Sequence, residues 1–180
     1  MMAVSLWHLF FFGDMKTALS RAALMLFGVL YAGFLPTLLL HLRRLDDGQG
    51  WFLMLLAIVW LADTGAYFSG RALGKHKMYP AVSPGKSWEG AVGGLLSSVG
   101  GAFLCRALFL KGLTVPQVLL ISVPAGILGQ LGDLVESLIK RAYGVKDSGR
   151  SIPGHGGVLD RFDAIFFAAP YIYFIARVLH

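Results

Sequence analysis

The chain is poor in what a water-soluble protein needs most, which is charge. Asp, Glu, Lys and Arg make up 14% of its 180 residues, against about 25% in an average globular domain. It holds one cysteine, Cys105, which excludes an internal disulfide framework and any zinc cluster built on several cysteines. No repeat at a fixed period and no low-complexity linker occurs, so solenoids and tethered arrays are excluded as well. What the chain has instead is apolar material. Hydrophobic residues reach 56% and the mean hydropathy is +0.67, in long blocks with neither strand-like alternation nor a polar helix face. A disordered chain, a collagen-like repeat and an ordinary soluble domain do not fit that pattern. The length allows one domain, and residues 1–180 are read as a single transmembrane one. The net charge of +6 then reads as membrane topology, and no nucleic-acid partner is expected.

Charges cut the chain into uncharged runs. Residues 22–42 and 112–132 each run 21 residues without Asp, Glu, Lys or Arg; 48–62, 90–105 and 164–176 run 15, 16 and 13. A hydrocarbon layer of about 30 Å, at about 1.5 Å of rise per residue, requires about 20 mainly apolar residues. Two runs meet that outright, and three meet it if a polar residue is carried inside. Five spanning helices are therefore expected, near 20–42, 50–70, 89–110, 113–139 and 158–179, giving an all-α integral membrane bundle. Residues 1–13 are apolar and aromatic but too short to span, and are expected to lie in the interface. No basic stretch precedes Trp7–Phe12, and Gly13-Asp14 is a poor cleavage site, which argues against a cleaved signal peptide. Trp7, Trp51 and several tyrosines are expected as interface anchors. His8, His41 and His180 are expected there too, and Gly93, Gly94, Gly100 and Gly101 as helix-packing contacts.

Five spans put the start of the chain, the 71–88 loop and the 140–157 loop on one side. That side carries eleven of the sixteen Lys and Arg residues, from Lys16 and Arg21 through Lys86 to Arg161; Arg43, Arg44, Arg106, Lys111 and Arg177 are on the other. The positive-inside rule makes the first side cytoplasmic, which suits a protein of the inner (plasma) membrane. Both loops are basic and rich in Gly, Pro and Ser, and each is near 18 residues, long for a helical connection and hence of functional interest.

The carboxylates sit where they are expensive. Asp63, Asp133, Glu136, Asp160 and Asp163 fall inside or at the ends of expected spans, where a bare carboxylate costs roughly 2.5–3.5 kcal/mol. Asp133 and Glu136, and likewise Asp160 and Asp163, are three apart and share a helix face; Ser137 is one turn beyond Asp133. Two helices each offering a carboxylate pair suggest a divalent-cation site with hard oxygen ligands. The competing reading pairs each carboxylate with a local cation, for example Asp163 with Arg177. Lys140, Arg141, Lys146, Arg150, His155 and Arg161 surround the carboxylates in sequence, and Gly154, Gly156 and Gly157 allow close backbone approach. The 71–88 loop adds Arg71, Lys75, His76, Lys77, Ser83, Lys86 and Ser87. Cations, a metal and glycine-rich backbone suit a polyphosphate substrate; a basic surface beside the bilayer can also serve only to attract anionic lipid. Gly85-Lys86-Ser87 is not a P-loop, because Pro80 stands where the first glycine is required.

Residues 137–163 read SLIKRAYGVKDSGRSIPGHGGVLDRFD. This resembles the signature of the phosphatidate cytidylyltransferases (CDP-diacylglycerol synthases). Its fixed positions are matched by Ser137, Lys140, Arg141, Lys146, Asp147, Pro153, His155, Gly156, Gly157, Asp160, Arg161 and Asp163, twelve in 27 residues. The runs Asp63-Thr64-Gly65-Ala66-Tyr67 and Ser83-Pro84-Gly85-Lys86-Ser87-Trp88-Glu89-Gly90 are similar to the same family. The resemblance covers about 50–180.

The resemblance implies an integral-membrane nucleotidyltransferase of phospholipid biosynthesis. It would join CTP and phosphatidic acid to give CDP-diacylglycerol and pyrophosphate, use Mg2+ with K+ admissible beside it, and form a homodimer in the bilayer. The metal carboxylates are then Asp133 and Asp160, with Asp163 close by. Lys140, Arg141, Lys146, His155 and Arg161 surround phosphates, and Asp63, Ser83, Lys86, Ser87, Ser137, Asp147, Gly156 and Gly157 line the substrate site. Members of that family carry further hydrophobic helices upstream of the matched region, where this chain has one short apolar stretch and one span. A shortened, inactive or subunit-type homologue is therefore the first alternative. An ion-coupled transporter using Asp63, Asp133 and Asp160 is the second, although it leaves the cation-dense 140–157 loop unexplained. The CDP-alcohol phosphatidyltransferase pattern is not found.

Overall fold

The computed structural model describes residues 15–149, 157 and 159–179. The expectations for residues 1–13, His8, Arg150, Gly154, His155, Gly156 and His180 lie outside them. Among the described residues five helices are long and apolar enough to cross a membrane, with bounds Leu19–Arg43, Gly48–Leu73, Trp88–Leu108, Val115–Ala142 and Leu159–Leu179. The protein is an integral membrane protein, and each expected span is present within a few residues.

The first span is built of three pieces: α1 (Met15–Gly28), a π-helical stretch (Val29–Phe34) and α2 (Leu35–Arg43). The widened turn precedes Pro36, which has no N–H to donate and whose ring crowds the carbonyl one turn back. Leu35 N–H reaches back five residues to the Leu30 carbonyl. The other spans are α3 (Gly48–Leu73), α4 (Trp88–Leu108), α5 (Val115–Ala142) and α6 (Leu159–Leu179). Helix α5 starts on a capping box: Thr114 N–H donates to Gln117 Oε1 at 2.7 Å, and Pro116 stands in the first turn, where no donor is needed.

The core lies where α3, α5 and α6 meet α4. Trp51, Met54, Leu55 and Ile58 of α3, Val118 and Ile121 of α5, and Ala168 and Ile172 of α6 are all buried. Trp51, expected as an interface anchor, is instead 2% exposed, because α3 turns its first two turns toward α5 and α6. Helices α3 and α4 approach most closely over small residues. A Cβ added at Gly94 would sit 2.7 Å from the Ala62 carbonyl oxygen, and one at Gly101 2.7 Å from Leu61 Cδ1. One at Gly93 would run into Ser69, and one at Gly65 into Ser97. Gly100, also expected in this seam, faces open space. Gly94→Val forces the two backbones apart and is expected to lower stability by about 1–3 kcal/mol. The check is thermal unfolding in detergent; an unchanged midpoint counts against the close-packed seam.

The 71–88 segment is not an irregular loop. It forms a short antiparallel hairpin of β1 (Lys77–Tyr79) and β2 (Ser83–Ser87), with Lys77 opposite Ser87 and Tyr79 opposite Ser83. Strands of three and five residues carry little periodicity to read, and an isolated hairpin is marginal in water, so outside contacts hold it.

Candidate functional site

Helix α5 places Asp133, Glu136, Ser137, Lys140 and Arg141 on successive turns of one face near its C-terminal end, as the three- and four-residue spacing requires. Helix α6 opens with Asp160 and Asp163. The two helices pack together, and Lys140 Nζ bridges them: it lies 2.6 Å from Glu136 Oε2 and 2.7 Å from Asp160 Oδ1. Glu136 in turn approaches both Asp160 and Asp163, and the charge of Asp133 reaches Asp163. The expected convergence of the two carboxylate pairs is therefore present. Arg177 is not the partner of Asp163; fourteen residues of helix separate them, about 21 Å along the axis.

Burial sorts the carboxylates. Glu136 is 5% exposed and Asp163 8%. Asp163 Oδ1 accepts from the N–H of Ala164 at 2.6 Å. Neither oxygen of Glu136 has an aligned hydrogen bond among the described residues, although the Lys140 ammonium stands beside one of them. Asp160 is the most heavily partnered. Besides Lys140 it accepts from Ser148 N–H at 3.0 Å, Ser148 Oγ at 3.0 Å and Gly157 N–H at 2.7 Å. It therefore ties the segment after α5 to the start of α6. A Cβ on Gly157 would collide with Ser148 Oγ, so the glycine there permits close approach, and its N–H is aimed at Asp160. Ser137 Oγ donates to Asp133 Oδ1 at a long 3.4 Å.

The hairpin arrives from the other side and is held at three places. At its base, Glu89 accepts from the N–H of His76 at 3.2 Å and stands 2.6 Å from His76 Nδ1. At its tip, Arg141 Nε donates to the Val82 carbonyl at 3.3 Å while its Nη1 donates to Val145 O at 3.2 Å. Along its side, Lys86 Nζ lies 2.6 Å from Asp133 Oδ2. Ser87 caps α4, its Oγ accepting from Gly90 N–H at 3.1 Å. Between the hairpin and helices α3, α4 and α5 lies a cavity of about 330 Å3, into which Asp63, Ser83, Lys86, Gln130 and Asp133 open. Gln130 is fixed there by donating to the Ala91 carbonyl at 3.1 Å.

Each expected site residue among the described residues now has a place; His155 and Gly156 lie outside them. Asp63, Ser83, Lys86, Ser87 and Asp133 share the cavity wall. Lys140, Asp160 and Asp163 gather on its α6 side with Ser137 near Asp133. Arg141 spends two of its donors on backbone carbonyls. Lys146 and Asp147 are exposed in the segment after α5, and Arg161 is exposed in the first turn of α6. Sequence reasoning missed Ser148 and Gln130 as partners of this region and the clasp made by His76 and Glu89. Only Glu89 carried a signal, an acid in the first turn of a helix three residues after a basic side chain.

No three His, Cys, Asp or Glu side chains among the described residues stand as a preformed metal cage, since lysine ammonium groups occupy the gaps. The donor chemistry nevertheless fits a hard dication. All the acids offer oxygen, Glu136 has two buried oxygens without aligned hydrogen bonds, and Lys86 and Lys140 mark two points where positive charge is favourable.

The cytidylyltransferase family model matches residues 1–179. The chain is 45% identical over 151 residues to a phosphatidate cytidylyltransferase of Staphylococcus haemolyticus, covering 84% of this chain and 57% of that one. It is 41% identical over 147 residues to the phosphatidate cytidylyltransferase of Bacillus subtilis, 81% and 55%. It is 45% identical over 155 residues to that of Brucella suis, 84% and 56%. The chain thus spans a little over half the length of these curated relatives. With a matched region that takes in nearly every residue, including both carboxylate pairs and the hairpin, the chain belongs to the cytidylyltransferase family.

Proposed function

We propose that the protein is a phosphatidate cytidylyltransferase, transferring the CMP unit of CTP to phosphatidic acid at the cytoplasmic face of the inner membrane. One observation carries this reading: acids of α5 and α6 gather around Lys140, close to a polar cavity walled by Asp63, Lys86 and Asp133, in a chain of the cytidylyltransferase family. The eleven basic residues of the expected cytoplasmic side include the lysines of this site. The catalytic part is the region of about 50–180 within a single transmembrane domain, and the working form is a homodimer.

A phosphate oxygen of the lipid attacks the α-phosphorus of CTP, and the bond from that phosphorus to the β-phosphate oxygen breaks, releasing pyrophosphate. The nucleophile is already an anion, so the obstacle is repulsion between two polyanions and not the lack of a base. Lys86 at the cavity wall and Lys146 outside it neutralise phosphate charge, and Lys140 holds Asp160 and Glu136 in place. Asp133 and Asp160, with Glu136 and Asp163 beside them, are the residues that would hold Mg2+; K+ is admissible nearby. When bound, the dication lowers the electrostatic cost of charge at the α-phosphorus. The hairpin, fixed by Glu89 and Arg141, keeps Lys86 on the cavity and limits water access. Arg141 acts here through the hairpin it holds.

Purified protein given labelled CTP and phosphatidic acid in detergent or nanodiscs is expected to yield lipid-linked CMP. Folded protein that forms none with Mg2+ supports the subunit-type reading instead, and ion flux in liposomes supports the transporter. Lys146→Ala, at an exposed position with no bond to another described residue, is expected to raise the KM for CTP about tenfold. An unchanged CTP dependence takes Lys146 out of the phosphate site.

A further inference from the structure

Tyr31 lies in the first span, outside the region of about 50–180 that carries the motif. It is 6% exposed, and its hydroxyl has no hydrogen-bond partner among the described residues. A buried phenol is ordinarily bonded, so this one stands out. Its position has a local cause. The π-helical stretch Val29–Phe34 ahead of Pro36 rotates the helix face, and Tyr31 turns inward while Val29, Leu30 and Phe34 remain exposed to the bilayer. The ring packs against α6, edge-on to Phe166 at 5.8 Å and tilted on Phe167 at 5.9 Å. Those residues follow Asp163 by three and four positions, so they share its face. Among the charges acting on the phenol, Asp163 is the strongest, followed by Glu136, Asp133 and Asp160. The ring therefore packs on the stretch of α6 that follows Asp163, and the hydroxyl makes no hydrogen bond to any described carboxylate.

The surroundings of the cluster differ on two sides. The polar cavity under the hairpin is lined from α3, the hairpin, α4 and α5, with no residue of the first span among the described residues. At Tyr31 the surroundings are apolar: Phe27, Phe166 and Phe167 pack on the ring, and exposed Leu24 and Leu30 lie on the same span. An in-line displacement needs its attacking oxygen opposite the leaving group, so the two substrates must enter from different sides. A water-borne triphosphate suits the polar cavity beside Lys86; a phosphate with acyl chains suits the apolar side at Tyr31. Resting on the cytidylyltransferase reading, we infer that the Tyr31 hydroxyl is a binding group for the phosphate of the lipid substrate, donating a hydrogen bond to it between the first span and Asp163. A neutral donor fits that place, since a lysine or arginine in the apolar wall would have to be desolvated within the span. A phenol supplies direction at lower cost.

The test is Tyr31→Phe in the full chain, reconstituted in phosphatidylcholine nanodiscs with increasing phosphatidic acid. Removing one hydroxyl keeps the ring packing, so the unfolding temperature is expected to stay at the wild-type value. The KM for phosphatidic acid is expected to rise about tenfold, with the KM for CTP unchanged. In a second arm, native mass spectrometry without CTP and with chelator counts phosphatidic acid retained over phosphatidylcholine; the variant is expected to lose that preference. Competition by inorganic phosphate separates recognition of the phosphate alone from recognition of the phosphate with its acyl chains. A rise in the CTP KM only, or no change in both KM and lipid retention, overturns the assignment. If the wild-type chain forms no product, the cytidylyltransferase reading fails, while lipid retention by the two proteins still decides the role of Tyr31.

Discussion

Asp133→Asn and Asp160→Asn are each expected to abolish CTP-dependent formation of CDP-diacylglycerol, by at least about a hundredfold, with membrane insertion intact. Each substitution keeps shape and removes one charge. At position 133 the loss strips Lys86 of its 2.6 Å partner and removes an acid from the cavity wall. At position 160 it removes one of the two carboxylate partners of Lys140 and weakens acceptance from Ser148 and Gly157, so the segment after α5 loosens as well. Asp133→Asn is thus the cleaner probe of charge, and Asp160→Asn combines charge with position. The measurement is lipid-linked CMP from labelled CTP across a Mg2+ titration, with circular dichroism on the same samples. Near-normal turnover of either variant at low Mg2+ removes that residue from the metal assignment.

Lys140→Ala is expected to be the most destabilising single change at the site. The Lys140 side chain is 16% exposed, and it is shared between Glu136 and Asp160, whose side chains are 6% and 11% exposed. Removing it leaves two enclosed carboxylates facing each other without a counter-charge. Breaking an enclosed ion pair from one side costs about 3–5 kcal/mol, more than the Gly94→Val seam change. The check is unfolding in mild detergent with chelator present. Adding Glu136→Gln to Lys140→Ala should recover part of the loss, because one of the uncompensated charges is then gone. If Lys140→Ala unfolds like the wild type, the bridge carries no stability and serves substrate alone.

The site shows where sequence reading stops. The spacing of Asp133 with Glu136, and of Asp160 with Asp163, fixes a shared helix face at any helical position, so each pair was legible without coordinates. That Lys140 bridges the pairs was not, because the contact joins residues twenty apart across two helices. Charge and motif position point Arg141 at phosphates; that it also staples the hairpin is visible only in the structure. Ser87 lines the cavity and in addition caps α4, a role its motif does not announce. Trp51 illustrates the opposite error. An aromatic near a span end is often interfacial, but the side it faces depends on which neighbours pack there.

The sequence by itself determined the five spans, their order and the grouping of the basic loops on one side. Those follow from the transfer cost of charge and from chain length across a layer of known thickness, both of which are local. Only the tertiary structure decided which helices touch, that a hairpin roofs the cavity, and that Tyr31 turns inward to face acids more than a hundred residues away in the chain. Pairing across a bundle is set by how side chains of distant segments fill shared space, and no window of the chain contains that information.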